Sequence, residues 1–449
     1  MSNASGCLLQ VGAYLKKLEP IGPNGVHRRA VRLVPVWRDA DIADMTGFAD
    51  LAAAAASARA THPEVALALA TLVQVEGSSY RQPGARLLVD AEGRVLAGAV
   101  SGGCLEGDIA ARAGEVCARG EAIRLTYDLR ADLETIWGFG AACDGVAHLL
   151  LEPLPDPSWL AEAERIRLAR GNGSVVTVLT EMGGATAMLG EGHPASQCRR
   201  VMHPLVDAVA WSAIHDAITS AQRTDAFVHR ACTESPHTLF VEPLTAPVAL
   251  HCIGAGRGAE AFAAIAATLG WHVTILDHRP AVLDGLHLPP GVHRQIAPRD
   301  QSPGDILRTL AHDERTAVTL LTHRFDDDAA WLAAALPSPV GYVGVLGSRK
   351  RAAELLERVA TTLDAHGTPL TPRMTHRLFA PIGLDLGGES PAAIALSAIA
   401  EIEAVMQGRP GGSLRDRQSP IHARTPTPQL MRDRIPSMPA DDQERSARE

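Results

Sequence analysis

The run Gly254-Ala255-Gly256-Arg257-Gly258-Ala259 has the residue types and spacing to cradle a phosphate. It follows an apolar stretch at 248–253 and opens a helix-prone stretch that continues to 269. Gly254 permits a tight turn, Gly256 lets backbone amides approach a ligand oxygen, and Ala259 lets helix and sheet pack closely. The helix N-terminus adds unpaired amides and the positive end of its dipole. Asp277 ends the next apolar run, where a dinucleotide-binding unit places the acid that holds a ribose diol. Arg279 beside it suits an additional phosphate, so NAD and NADP types of ligand both remain open.

A second chemistry is carried by Ser101-Gly102-Gly103-Cys104-Leu105-Glu106. The two glycines allow a tight fold, and Cys104 is expected in the first turn of a helix, where dipole and amides favour a thiolate. Glu106 and Asp108 in the same turn oppose that effect. Cys143 lies in a glycine-rich loop at 138–145, just before an expected strand. Cysteines on such loops suit a soft metal or a sulfur-bearing ligand. Cys117 and Cys252, mid-helix and mid-strand, read as small packing residues. No four ligands at finger spacing argue for zinc. Two further loops offer anion contacts: Arg81, with Ser79 and Arg86, around a Gly/Pro turn, and Gly347, Ser348 and Arg349, which fit an anion or a loop salt bridge. Asp385, after the last expected strand, either fixes its loop or faces the ligand. His323 and His376 read as surface histidines.

These loops need elements to hold them. A helix is expected at 48–60, then strands at 69–75, 123–127 and 146–151, with a hairpin joined at Gly93. A helix at 105–116 is marked by Leu105, Ile109, Ala113 and Val116 at helical spacing. The order then recurs: a helix at 158–170, strands at 174–179 and 186–189, a helix at 205–222 and a strand at 239–244. Both rounds end in Glu-Pro-Leu, at Glu152 and Glu242, which suggests an internal duplication whose second copy lacks the glycine and cysteine motifs. From 248 the pattern is β/α alternation, with strands at 248–253, 272–277, 292–297, 317–322, 340–346 and 377–382. Helices are expected between most of them, at 258–269, 304–312, 327–336 and 350–362, and at 391–406. The fold class is therefore α/β: a C-terminal Rossmann-like, doubly wound parallel sheet plus an N-terminal mixed α+β domain, internally duplicated.

The expected organisation is an extension at 1–47, a first domain at 48–155, a second α+β segment at 156–247, a Rossmann-like domain at 248–408 and a tail at 409–449, disordered after about 424. The 449 residues suit two or three domains at about 150 each. A net charge of -9 excludes a polybasic nucleic-acid binder as the default reading. No apolar run is long enough for membrane insertion, and no secretory leader is evident. Seven scattered cysteines without a CxxC pair are not a secreted disulfide framework. An aromatic share of 4% means that aliphatic side chains must build the core.

Taken together, GSSYRQPGARLLV, GAVSGGCLEGD and a Cys-Asp-Gly loop before LLLEPL resemble the N-terminal domain of the xanthine dehydrogenase accessory factors, the XdhC/CoxI family. HCIGAGRGAEAFAAIAATLGWHVTILDHRP, LLTHRFDDD, GYVGVLGSRKR, APIGLDLGGESPAAIALSAIAEIEAV and GGSLRDRQSPIH extend the resemblance to about residue 422. Two departures stand out. The second loop reads Ala142-Cys143-Asp144-Gly145 where relatives usually carry Gly-Cys-Asn-Gly or Gly-Cys-Gly-Gly, and Ser390-Pro391 is followed by alanines where relatives have acids. The resemblance implies a cytoplasmic chaperone, without turnover of its own, that binds the molybdenum cofactor as molybdopterin or its dinucleotide. It implies support for sulfuration by a cysteine desulfurase and delivery to the large subunit of an apo-molybdenum hydroxylase, from a homodimer. In that role Cys104, and less securely Cys143, become soft ligand candidates for molybdenum, and the two domains are expected to face each other. The alternatives are an NAD(P)-binding oxidoreductase using Asp277 and a thiol-based redox or metal sensor using Cys104.

Overall fold

Along β1 (Leu67–Gly77) successive side chains alternate between two faces, and both are buried. Ala68, Ala70 and Leu72 point to one side, where α2 (Glu106–Arg119) lays Ile109, Ala113 and Val116 against them. Leu67 and Leu69 point to the other, against α1 (Phe48–Thr61) and α3 (Ser158–Leu168) through Phe48, Leu51, Trp159 and Leu160. The computed structural model describes residues 47–129, 145–171, 173–179, 184–189, 227–230 and 238–417. Cys143, the helix expected at 205–222 and the end of the tail lie outside them.

The first sheet is antiparallel and adds β2 (Arg86–Asp90), β3 (Val95–Gly98), β4 (Ile123–Asp128) and β5 (Gly145–Pro153) in the order β3-β2-β1-β5-β4. The hairpin at Gly93 forms as expected, with Asp90 accepting the amides of Glu92 and Arg94. A second antiparallel sheet, of β6 (Ser174–Leu179), β7 (Gly184–Leu189), β8 (Phe227–Arg230) and β9 (Thr238–Pro243), runs β7-β6-β9-β8. Its β8 was not expected from the sequence.

The two sheets repeat one topology, β2-β1-β5-β4 against β7-β6-β9-β8, and one register. Leu69 pairs with Glu152 as Val175 pairs with Glu242, and Thr71 pairs with Arg86 as Thr177 pairs with Thr186. The amide of Leu154 donates to Leu67 (2.7 Å) as that of Leu244 donates to Gly173 (2.8 Å). Val73 and Leu150 of the first copy meet their counterparts Leu179 and Phe240 in one fully buried cluster. The duplication read from the two Glu-Pro-Leu endings is thus a pair of sheets packed through equivalent positions.

The third sheet is parallel: β10 (Ala249–Ile253), β11 (His272–Asp277), β12 (His293–Ile296), β13 (Thr316–Leu320), β14 (Tyr342–Val345) and β15 (Leu378–Phe379), in the order β12-β11-β10-β13-β14-β15. This is the doubly wound order, with its switch point between β10 and β13. The helices are α4 (Ala259–Thr268), α5 (Pro280–Asp284), α6 (Pro303–Arg308), α7 (Phe325–Ala335), α8 (Arg349–Ala365), α9 (Pro372–His376) and α10 (Pro391–Met406). The last strand is far shorter than the expected 377–382, because Pro381 has no amide for a ladder and Gly383 turns the chain at φ +106°. The short helices α5 and α9, each with proline in its first turn, were not expected. Among the described residues no helix is long and apolar enough to cross a membrane.

Arg170, just past α3, joins the second sheet's entry to the parallel sheet: its Nε donates to Asp313 (2.5 Å) and its Nη1 to the Pro247 carbonyl (2.8 Å).

Deleting a large buried side chain at the contact between the sheets should weaken both repeats. Phe240→Ala is predicted to cost about 3–5 kcal/mol, read as a lower urea midpoint with one transition retained. A loss below about 1 kcal/mol would show that the repeats do not depend on this contact.

Candidate functional site

All strands of the third sheet are parallel, so the loops that follow them open on one edge. Residues 254–259 follow β10, Asp277 ends β11, Arg299 and Gln301 follow β12, and Thr322 and His323 follow β13. Gly347, Ser348 and Arg349 follow β14, and Asp385 follows β15. Bound ligands in such sheets lie at this edge.

Gly254 has φ +110°, and a side chain there would meet the backbone of Leu321 and Thr322 at 3.1 Å. Glycine is the residue that fits both demands. The Gly254 amide donates to Leu276 (2.7 Å) and the Ala255 amide to Asp277 Oδ2 (2.8 Å). Gly256 carries the chain past His323, whose Nε2 lies 4.0 Å from where a Cβ would be. Ala259 is fully buried under the sheet. Helix α4 begins without a side-chain cap at Gly258. Among the described residues the amides of Gly256, Arg257 and Gly258 have no acceptor, and the exposed Arg257 has no ion-pair partner. These are the features a phosphate would use, and Arg257 was not singled out from the sequence.

Asp277 and Arg279 do come together, but with each other. Arg279 donates its Nε and its amide to Oδ1 (2.9 and 3.0 Å) and its Nη2 to Oδ2 (2.8 Å). With the Ala255 amide, the acceptor sites of the carboxylate are filled. A ribose diol would therefore have to displace Arg279. Burial favours the neutral acid, but the Arg279 guanidinium and the two amides outweigh it and hold the carboxyl at about 2.

An open cleft of about 150 Å³ lies beside this loop. Ile253, Leu276, Ala297, Ile306 and Trp331 give it an apolar wall, and Asp277, His278, Arg299, Gln301, Thr322 and Asp327 give it polar groups. Four loops distant in sequence build it, so no local pattern announces it.

The Gly347-Ser348-Arg349 loop is exposed. Ser348 caps α8 by accepting the Arg351 amide (3.3 Å), and the salt bridge of this region is made by Arg351, to the fully buried Asp328 (2.6 Å). Arg349 is left facing solvent, as is Asp385.

In the first sheet the Ser101–Cys104 loop is organised by Glu106. That carboxylate, buried at the start of α2, accepts the amides of Val100 (3.1 Å), Ser101 (2.8 Å) and Leu105 (3.2 Å) and the Ser101 hydroxyl (2.5 Å). Ser101 Oγ in turn accepts the amides of Gly103 and Leu105 (both 3.1 Å). Two expectations change here. Cys104 stands just ahead of the N-cap Leu105 instead of within the first turn, and Glu106 is a loop brace instead of a charge facing the thiol. Cys104 is half-buried with a free thiol. Gly102 lies against the exposed ring of Tyr80, 3.8 Å from its Cβ direction, and half-buried Arg81 is the next residue. Cys117 is half-buried and its thiol is pushed up by burial; in fully buried Cys252 the thiol is pushed up to about 12.

Among the described residues no three His, Cys, Asp or Glu side chains group as a metal site. No hydrogen bond or ion pair among them links the Cys104 loop to residues 254–259.

A family model described as the XdhC and CoxI family matches residues 60–128, and one described as the XdhC Rossmann domain matches residues 250–402. A Bacillus subtilis protein whose name describes it as a probable subunit of xanthine dehydrogenase is 28% identical over 340 residues, covering 74% of this chain and 91% of that protein. The chain belongs to the XdhC/CoxI family. A crystal structure of a protein described as a xanthine dehydrogenase, from Bacillus halodurans, shares its fold with a TM-score of 0.59 at 25% identity, covering 82% of this chain and 98% of that one. The Escherichia coli protein YqeB, of uncharacterized function, is 29% identical over 168 residues, 37% of this chain and 29% of its own length. The two XdhC/CoxI matches contain the Cys104 loop and the Gly254 loop respectively.

The Asp277 brace has a pH signature. Its carboxyl lies at about 2 folded against an ordinary 3.8, so its contribution is complete above about pH 4 and is lost as pH falls toward 2. Thermal melts of the wild type and Asp277→Asn should therefore converge as pH is lowered through that window. Curves that stay parallel would contradict the brace.

Proposed function

We propose that this chain is an accessory protein of a xanthine dehydrogenase-type molybdenum hydroxylase, and that it binds the molybdenum cofactor for sulfuration and insertion. The observation that carries the proposal is the uncommitted amide set of Gly256, Arg257 and Gly258 in a chain that also presents the free thiol of Cys104 on a braced glycine loop. The residues fit the group at both ends. Its phosphate suits the 254–259 loop with Arg257, and its soft metal and dithiolene suit a thiol such as Cys104. The cofactor, when bound, would be the acceptor of sulfur during sulfuration and, once inserted, would supply the oxygen-transfer chemistry of the hydroxylase. The chain's own residues would hold the phosphate through the 256–258 amides and Arg257 and orient the soft end through Cys104.

The cleft beside Gly254 supports the dinucleotide form, because an apolar wall with Gln301 and Arg299 on its polar side suits a nucleobase. The filled acceptor sites of Asp277 weigh against the NAD(P) oxidoreductase reading. A cysteine desulfurase and the large subunit of the apo-hydroxylase are the proposed partners, in the cytoplasm, with a homodimer as the proposed working form.

Anaerobic purification followed by mass spectrometry of released small molecules tests the reading. Molybdopterin or its dinucleotide should be present, and Cys104→Ala should lower its retention several-fold more than Cys117→Ala. Wild-type protein carrying no pterin, in cells whose hydroxylase is active, would overturn the proposal; equal losses in the two variants would overturn the role of Cys104.

A further inference from the structure

The register shared by the two antiparallel sheets makes Glu152 and Glu242 counterparts, and likewise Arg86 and Thr186. Each glutamate reaches across to the other copy. Glu152 accepts the hydroxyl (2.5 Å) and amide (3.1 Å) of Thr186, while Glu242 accepts Nη1 (3.0 Å) and Nη2 (2.6 Å) of Arg86. The contacts are reciprocal, but only the copy bearing the Cys104 loop has a guanidinium at this position.

That guanidinium is only 4% exposed and stacks over Phe48 at 4.8 Å, with Trp159 at 5.8 Å. Its Nη1 also donates to the Gly84 carbonyl (3.1 Å), and Gly84, at φ +98°, lies directly against the Glu242 carboxylate, which a Cβ would meet at 3.4 Å. Gly84 closes the loop at 78–85 by donating to Leu72 (2.8 Å). The same loop carries Tyr80 and Arg81, and the Tyr80 ring forms the wall against Gly102, two residues from Cys104.

We infer that Glu242 is a positioning residue: the motif-poor second repeat acts as a built-in partner that, through Arg86 and Gly84, sets the Tyr80–Arg81 loop against the Cys104 loop. This deepens the cofactor-binding reading, on which its biological meaning rests, yet the geometry it predicts is measurable without cofactor. Losing Glu242 removes the carboxylate hydrogen-bonded to buried Arg86. Among the described residues it leaves nearby only Glu152, which makes no hydrogen bond to Arg86 and whose carboxyl burial pushes toward the neutral form. The guanidinium therefore leaves its aromatic seat and releases Gly84.

The test is peptide-resolved labelling of Cys104 by iodoacetamide on the full chain with no cofactor added, for Glu242→Gln, its counterpart Glu152→Gln, and Tyr80→Ala. Glu242→Gln and Tyr80→Ala should raise the Cys104 labelling rate several-fold, and Glu152→Gln should leave it at the wild-type rate although it also removes a contact between the repeats. A purely structural role would shift both glutamate variants alike, and that result would overturn the inference. If Glu242→Gln does not fold, Tyr80→Ala decides: an unchanged rate means that the loop does not wall Cys104. Because the chain is purified for this test from cells that make no molybdopterin, labelling does not depend on cofactor retention, and either idea can fail without the other.

Discussion

Amides that leave a strand into a glycine-rich loop lose their ladder partners, and in this chain single carboxylates gather them. Glu106 takes three amides and a hydroxyl around Ser101–Cys104. Asp277 takes the amides of Ala255 and Arg279 at the phosphate-type loop. Glu401 takes the Gly383 amide (2.9 Å) and the Tyr342 hydroxyl (2.5 Å) after β15. A buried amide left unpaired costs about 1–3 kcal/mol, and a carboxylate out of water needs several donors at once. Each solves the other's problem, so the loops are shaped before any ligand arrives.

This arrangement divides labour between residues that build the loops and residues left for chemistry. The acids most conspicuous in the motifs, Glu106 and Asp277, have their acceptor sites filled. What remains open is the amide run at 256–258, Arg257, the thiol of Cys104, and the Tyr80 and Arg81 side chains next to it. Amides, cations and a thiol are the groups that the proposed anionic, soft-ended ligand would need, in a chain whose overall charge is -9.

Much of the fold was legible because its signals are local. The strand, glycine turn and helix at 248–269 are contiguous, as are the Gly93 hairpin and the amphipathic run from Leu105 to Val116. The duplication was legible through the recurring order of elements and the two Glu-Pro-Leu endings, although β8, four residues long and without strong alternation, was not. What could not be read depends on where side chains turn back or meet at a distance. Glu106 folds onto its own loop, a direction that helical periodicity does not encode. Arg279 neutralises Asp277 from two residues away, where spacing alone suggested two separate ligand contacts. Arg86 and Glu242 are 156 residues apart, and their meeting follows from the packing of the repeats. The strand expected at 377–382 was shortened by Pro381, a breaker visible in the sequence but outweighed by its apolar neighbours.

Hydrogen exchange resolved by mass spectrometry tests most directly whether carboxylates hold these loops. The amides of Val100, Ser101 and Leu105 and that of Ala255 should exchange slowly for positions outside regular structure, and Glu106→Gln should speed the first three without affecting the fourth. Exchange at the rate of a free loop in wild-type protein, or no response of residues 100–105 to Glu106→Gln, would contradict the account.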